Sequence, residues 1–168
     1  KQYNFSHLVL DYQEKFYDGV ISNFIDSYAN GETPVPCIQC NQTVKFTDLL
    51  EESKKLNADA LVTGHYAIRR GGLKGSKLFK AKDTSKDQSY FLFATLQDQL
   101  DYVRFPLGEY LKTEIRQMAE EFKLTVSDKP DSQDICFVTS DSYRDLINKI
   151  QPDINIEGNI FDVNGNKI

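Results

Sequence analysis

Read for the spacing of apolar and polar positions, the chain alternates between short apolar runs and longer amphipathic stretches. Leu8 to Leu10 form a compact apolar run that predicts a buried strand. Phe16, Val20, Phe24 and Tyr28 then recur every four residues, with Ile21 beside them, which predicts an amphipathic helix of about four turns ended by Gly31. Thr33-Pro-Val-Pro36 is incompatible with regular helix and predicts a stiff loop. Val44, Phe46, Leu49, Leu50 and Leu56 mark a second helix, and Ala60-Leu-Val62 a second strand ending at Thr63-Gly64-His65. Strand, helix, helix, strand is the order of an α/β unit with a parallel sheet.

Further along, residues 66–81 read as a hairpin turning near Gly71-Gly72, and Tyr90 to Phe93 as an apolar run of either type. Thr113 is positioned to cap a helix through Phe122, with Ile115, Met118, Ala119 and Phe122 as its apolar stripe. Ile135-Cys-Phe-Val138 predicts a short strand. Asp141 is placed to cap a helix carrying Tyr143, Leu146, Ile147 and Ile150, and Asn164-Gly165 signals a final hairpin. The patterning changes near residues 139–142, which sets the expected boundary: an α/β domain over 1–140 and the start of a smaller domain over 141–168.

Composition narrows the class. The 168 residues are 40% hydrophobic and 12% aromatic, enough to bury a core and too apolar for a disordered chain. No run reaches the roughly 18 apolar residues of a membrane span. No signal peptide opens the chain, and three cysteines do not make a secreted disulfide framework, so the cytosol is the expected compartment. The chain starts without Met, runs almost at once into strand-like residues and stops just after a turn signal; a fragment of a longer protein is expected. Net charge is -5, but seven basic residues (Arg69, Arg70, Lys74, Lys77, Lys80, Lys82, Lys86) face one acid, Asp83, within a single stretch. Such a segment suits either a solvated hairpin or an RNA contact on an acidic body.

Four segments carry chemistry. In Thr33-Pro-Val-Pro-Cys37-Ile-Gln-Cys40-Asn41-Gln-Thr-Val-Lys45-Phe46, a C-x-x-C turn brings two sulfurs together at the start of a helix, where the dipole is expected to lower the thiol pKa. Alone, this pair is open to a half zinc site, half an iron–sulfur site, a redox pair or two buried thiols. Thr63-Gly64-His65-Tyr66 follows a strand, the place where ligands bind in open α/β sheets. Lys86-Asp87-Gln88-Ser89-Tyr90 offers a phosphate partner and two groups able to bond a base edge. Asp131-Ser132-Gln133-Asp134-Ile135-Cys136-Phe137 places a cysteine between apolar residues, where simple burial is the ordinary outcome.

In this order, the four segments resemble the catalytic domain of bacterial tRNA 2-thiouridylases, members of the PP-loop ATP pyrophosphatase superfamily. The family pattern reads T-P-N-P-(C/D)-x-x-C-N-x-x-I-K-F, A-T-G-H-Y, K-D-Q-S-Y-F-L, F-P-L-G and D-S-Q-x-I-C-F, matched here by Thr33 to Phe46, Val62 to Tyr66, Lys86 to Leu92, Phe105 to Gly108 and Asp131 to Phe137. The resemblance implies a partial Rossmann-like PP-loop domain with a parallel sheet. It implies ATP-dependent replacement of a uracil oxygen by sulfur at the tRNA wobble position, through an adenylated base and a cysteine persulfide. Cys136 would carry the persulfide and Cys40 would be the nucleophile, with a Cys40–Cys136 disulfide closing the cycle. Gly64 would lie at the ATP site, with Mg in attendance. His65, Lys86, Asp87 and Gln88 would face the tRNA, and Val35, Pro36 and Cys37 the flipped-out base. An upstream protein would donate the sulfur.

The match has departures. Val35 stands where the pattern has Asn, and Cys37 where some members have Asp. No resident metal is expected, although Cys37, Cys40 and Cys136 together leave an iron–sulfur site conceivable. The S-G-G-x-D-S pyrophosphate loop is not in the sequence, so the chain alone is expected neither to bind ATP well nor to turn over. A cysteine-ligated metal module and a non-catalytic RNA-binding module are the alternative readings.

Overall fold

The computed structural model describes residues 5–127, 135–138, 142–152 and 158–168. The four-residue periodicity that begins at Phe16 produces helix α1 over residues 13–29, with a π-wound stretch, Tyr17–Ile21, inside it, and Gly31 follows its end. Helix α2 spans residues 36–55. It starts on Pro36, whose missing N–H costs nothing in a first turn, and it is π-wound from Asn41 to Asp48. The two helices come closest at Gly19, where an added Cβ would sit 3.0 Å from the Thr43 hydroxyl. Lys15 pairs with Asp48 at 2.5 Å across the same crossing.

Strand β1 (Leu61–Val62) pairs in parallel with β4 (Val103–Arg104), so the α/β reading holds, though the parallel sheet has only these two short strands among the described residues. Between them lie the hairpin of β2 (Ala67–Arg70) and β3 (Lys77–Lys80), a 3₁₀ turn at Ser89–Leu92, and helix α3 (Gln97–Tyr102). A second 3₁₀ turn, Pro106–Glu109, leads to α4 (Lys112–Glu121). Helix α5 (Tyr143–Ile150) follows, and a small hairpin pairs Phe161 with Lys167 around Asn164-Gly165.

Two apolar clusters hold these elements. The first joins Phe46 and Leu50 of α2 to Ala67, Leu92, Leu100, Val103 and Phe105, and thereby fixes the sheet, the hairpin and α2 together. The second joins Phe24 and Ile25 of α1 to Ile147 of α5, with Ile135 and Phe137 packed against it. Tyr28 stacks on Tyr143 at 4.9 Å between centroids.

Several expectations are corrected. Leu8 to Leu10 form no strand: Leu8 is 57% and Val9 79% exposed, and no described segment offers the run a pairing edge, without which its backbone groups stay with solvent. Ile135–Val138 is a turn, closed by the Val138 N–H on the Ile135 carbonyl at 3.0 Å, because Ile135 and Phe137 are both drawn into the second cluster. Thr113 lies inside α4 and does not cap it; Glu114 reaches back to the Leu111 N–H at 2.5 Å instead. Ser142 caps α5 by accepting from the Arg144 N–H, while Asp141, the expected cap, falls outside the described residues. Asp131 to Asp134 fall outside them too. Among the described residues no helix is long and apolar enough to cross a membrane.

Candidate active site

The C-x-x-C pair sits in the first turns of α2. Val35 is 45% exposed, Pro36 is buried, Cys37 is exposed and Cys40 is half-buried. All three thiols are free, so the structure contains no Cys40–Cys136 disulfide. Burial pushes the Cys37 and Cys40 thiols up, and this reverses the expected lowering by the helix dipole. The dipole acts within the first turn, where Ile38 already spends its N–H on the Val35 carbonyl, and Cys40 lies beyond that turn.

Lys45 opposes the burial. Its charge lowers both thiols, and it lies on the π-wound part of α2 that begins immediately after Cys40. In an α-helix each residue turns about 100°, so a residue five positions on lies well round the helix. In a π turn the hydrogen bond runs i→i+5 and each turn holds more residues, so residue i+5 lies less far round the helix from residue i. Thr47 shows the same spacing by donating to the Gln42 carbonyl at 2.7 Å. The wide winding thus turns the Lys45 ammonium toward the Cys40 side of the helix.

Cys136 arrives from a different part of the chain. Phe137 stands edge-on to Phe16 at 5.7 Å and to Phe24 at 5.3 Å, and Ile135 packs into the same cluster. With both neighbours turned inward, Cys136 is left exposed on the tip of the turn. Its electrostatic influence reaches both Cys37 and Cys40, where it adds to the upward push of burial. Among the described residues no three His, Cys, Asp or Glu side chains converge as a metal-binding group.

A cleft of about 400 Å³ opens at the end of β1, lined by Lys45, Leu61, Thr63, Gly64, His65 and Gln88. Gly64 is exposed, and nothing but Leu107 lies near the position of an added Cβ, so the wall is open backbone that a ligand can approach closely. His65 Nδ1 is 2.8 Å from the Thr63 hydroxyl, and the ring stands between Phe46 and Phe105. Burial, aided by Lys45, takes its pKa down to about 4, so the imidazole is neutral at pH 7.

The Lys86-Asp87-Gln88 loop is locked onto the hairpin root. Gln88 accepts from the Tyr66 N–H at 2.9 Å and returns its own N–H to the Tyr66 carbonyl at 2.8 Å. Asp87 accepts from the Ala81 N–H and from the Ser89 hydroxyl; burial pushes its carboxyl up, but these hydrogen bonds outweigh it and hold the group below its ordinary value. Lys86 is exposed. Two residues of the site were not singled out by the sequence. Lys45 is one. Asn41, 2% exposed, is the other: its amide donates to the Phe91 carbonyl at 3.2 Å and ties α2 to the segment after Gln88. Their signal was position within the Cys37 to Phe46 segment, five and one residues after Cys40.

Comparison with known proteins gives a consistent picture. The family described as the tRNA methyl transferase HUP domain matches residues 1–140. The chain is 54% identical over 159 residues to the tRNA-specific 2-thiouridylase MnmA of Rickettsia prowazekii (strain Madrid E), covering 95% of this chain and 44% of the relative. It is 53% identical to MnmA of Rickettsia massiliae (strain Mtu5) over 162 residues, 96% of this chain and 44% of the relative. With MnmA of Rickettsia bellii (strain OSU 85-389) the identity is 55% over 159 residues, 95% of this chain and 43% of the relative. The chain therefore spans less than half the length of these relatives.

Proposed function

We propose that this chain, which belongs to the tRNA methyl transferase HUP domain family with its Rossmann-like fold, is the sulfur-handling part of a cytosolic tRNA 2-thiouridylase. The reading is supported by the electrostatic reach of Cys136 and Lys45 to Cys40, from distant and near points in the sequence, and by Lys45 also lining the Gly64–His65 cleft. Residues 1–140 are read as the rest of the catalytic domain and 141–168 as the start of the next one.

In this reading the complete enzyme uses ATP to place AMP on the C2 oxygen of the wobble uracil, releasing pyrophosphate and turning a poor leaving group into a good one. Gly64 supplies one open backbone wall for the nucleotide; the phosphate-cradling loop is no part of this chain. An upstream donor loads a sulfur onto Cys136 as a persulfide. The terminal sulfur attacks C2 and AMP leaves. Cys40 then attacks Cys136 Sγ, the sulfur–sulfur bond to the base breaks, and the 2-thiouracil departs. A Cys40–Cys136 disulfide remains for an external thiol reductant to reopen. Lys45 favours the Cys40 thiolate that the resolving step needs. Val35, Pro36 and Cys37 flank the everted base, and neutral His65 with Lys86, Asp87 and Gln88 borders the tRNA.

The test is nucleoside mass spectrometry of tRNA treated with the full-length protein, ATP and a persulfide source. Cys40→Ser and Cys136→Ser should each abolish 2-thiouridine while leaving tRNA binding in place. Thiolation at the wild-type rate by either variant would overturn the assignment.

A further inference from the structure

The β2–β3 hairpin has two unlike faces. Register pairs Ala67 with Lys80 and Arg69 with Leu78 on one side, and Ile68 with Phe79 and Arg70 with Lys77 on the other. The inner side is spoken for. Ala67 is fully buried, Leu78 packs on the first cluster, and Arg69 donates to the Leu100 and Asp101 carbonyls. The outer side has no such cover. Phe79 is 47% exposed and has no ring or cation partner among the described residues. It borders an open hollow of about 330 Å³ at the hairpin tip, shared with Arg70, Leu73, Lys74 and Lys77. Arg70 is paired with Glu109 at 3.0 Å, but Lys74 and Lys77 have no ion partner among the described residues.

We infer that this outer face is a second RNA contact of the site, with Phe79 as a stacking platform for one unpaired base and Lys74 and Lys77 as partners for the flanking phosphates. The inference rests on the tRNA reading above and extends it to the hairpin. An aromatic ring exposed between cations matches a nucleotide, which presents a flat π-face and an anion on each side. A protein partner of this small size would need a broader apolar patch than one Phe and one Leu. The location also fits. The hairpin is rooted at Tyr66 and Gln88, in the wall of the cleft, and its root is rigid because Gly108 passes so close that an added Cβ would fall 1.8 Å from the Ala67 carbonyl oxygen. At about 3.3 Å per residue, Phe79, which pairs with Ile68, stands roughly 7 Å along the hairpin from its Tyr66 root and the tip about 20 Å, so an RNA that delivers one base to the thiols reaches the hairpin within a few nucleotides.

Fluorescence anisotropy with labelled tRNA, read across a series of salt concentrations, tests this. For the double variant Lys74→Ala/Lys77→Ala, the slope of log affinity against log salt should fall by about 1.5. Phe79→Ala should weaken binding about tenfold with an unchanged slope. Phe79→Tyr should bind as the wild type does, and Phe79→Leu should not, which separates stacking from simple hydrophobic contact. Lys149→Ala, on α5, is the control. Wild-type slope and affinity in the hairpin variants would overturn the inference. So would a loss confined to binding of the persulfide donor, which would mark the face as a protein contact. The assay reads binding alone, so it is blind to whether Cys40 and Cys136 transfer sulfur; failure of that reading appears only in the thiouridine measurement.

Discussion

Among the described residues Lys45 is the cation that acts on both Cys40 and His65, and its removal should move the two groups in the same direction. A positive charge favours a thiolate and disfavours an imidazolium. Lys45→Met therefore raises the Cys40 thiol further and lets the His65 pKa climb back from about 4 toward its ordinary value. Alkylation of Cys40 near pH 7.5, followed by peptide mass spectrometry, should slow severalfold, and the His65 ring proton in an NMR titration should shift at higher pH. An unchanged alkylation rate would show that Lys45 does not reach the thiol. The cysteines themselves were legible in the sequence because thiols are rare and the surrounding motifs specific. Lys45 was not, because a spacing of five residues has no meaning on an ordinary helix and gains one only where the winding widens. The direction of the Cys40 shift was misread for a related cause: the helix dipole can be inferred from a motif, whereas burial depends on what the rest of the chain brings over it.

Among the elements, α1, α2, the β2–β3 hairpin and α5 were legible because each carries its own apolar period and its own stop. The short runs were not. Leu8 to Leu10 and Ile135 to Val138 have the composition of strands, but strands require a partner edge, and here the first has none among the described residues while the second is bent by its two inward anchors. That turn does more than end a run of residues. Phe137, held between Phe16 and Phe24, anchors the turn that carries Cys136 against α1. Phe137→Ala should cost about 1–3 kcal/mol, less than for a fully enclosed ring. It should also slow diamide-driven formation of the Cys40–Cys136 crosslink by roughly tenfold, as the effective concentration of one thiol at the other falls. Crosslinking at the wild-type rate would show that the turn finds α2 without its aromatic anchor.

For the molecule as a whole, acid sensitivity has a defined window. The unfolded chain takes up a proton on His65 near pH 6.5, while the fold resists it until about pH 4. The associated stability is complete above pH 6.5 and drains away as pH falls toward 4, a loss of about 3 kcal/mol if burial persists. Asp87 and Glu114 have lowered values, so their contributions are lost only below the ordinary carboxylate range and do not overlap the upper part of this window. Urea midpoints at pH 7, 5.5 and 4.5 should fall steadily for the wild type and much less for His65→Asn. A parallel decline in both would assign the acid sensitivity elsewhere.

The burial that raises Cys37 and Cys40 has a further meaning for their oxidation. Peroxide attacks thiolates, and each step beyond the sulfenic acid is harder to reverse. A thiol held toward its protonated form is a slower target, so the packing around Cys37 and Cys40 slows their oxidation. Resistance of Cys37 and Cys40 to peroxide is thus obtained from the same packing that withholds their reactivity at rest.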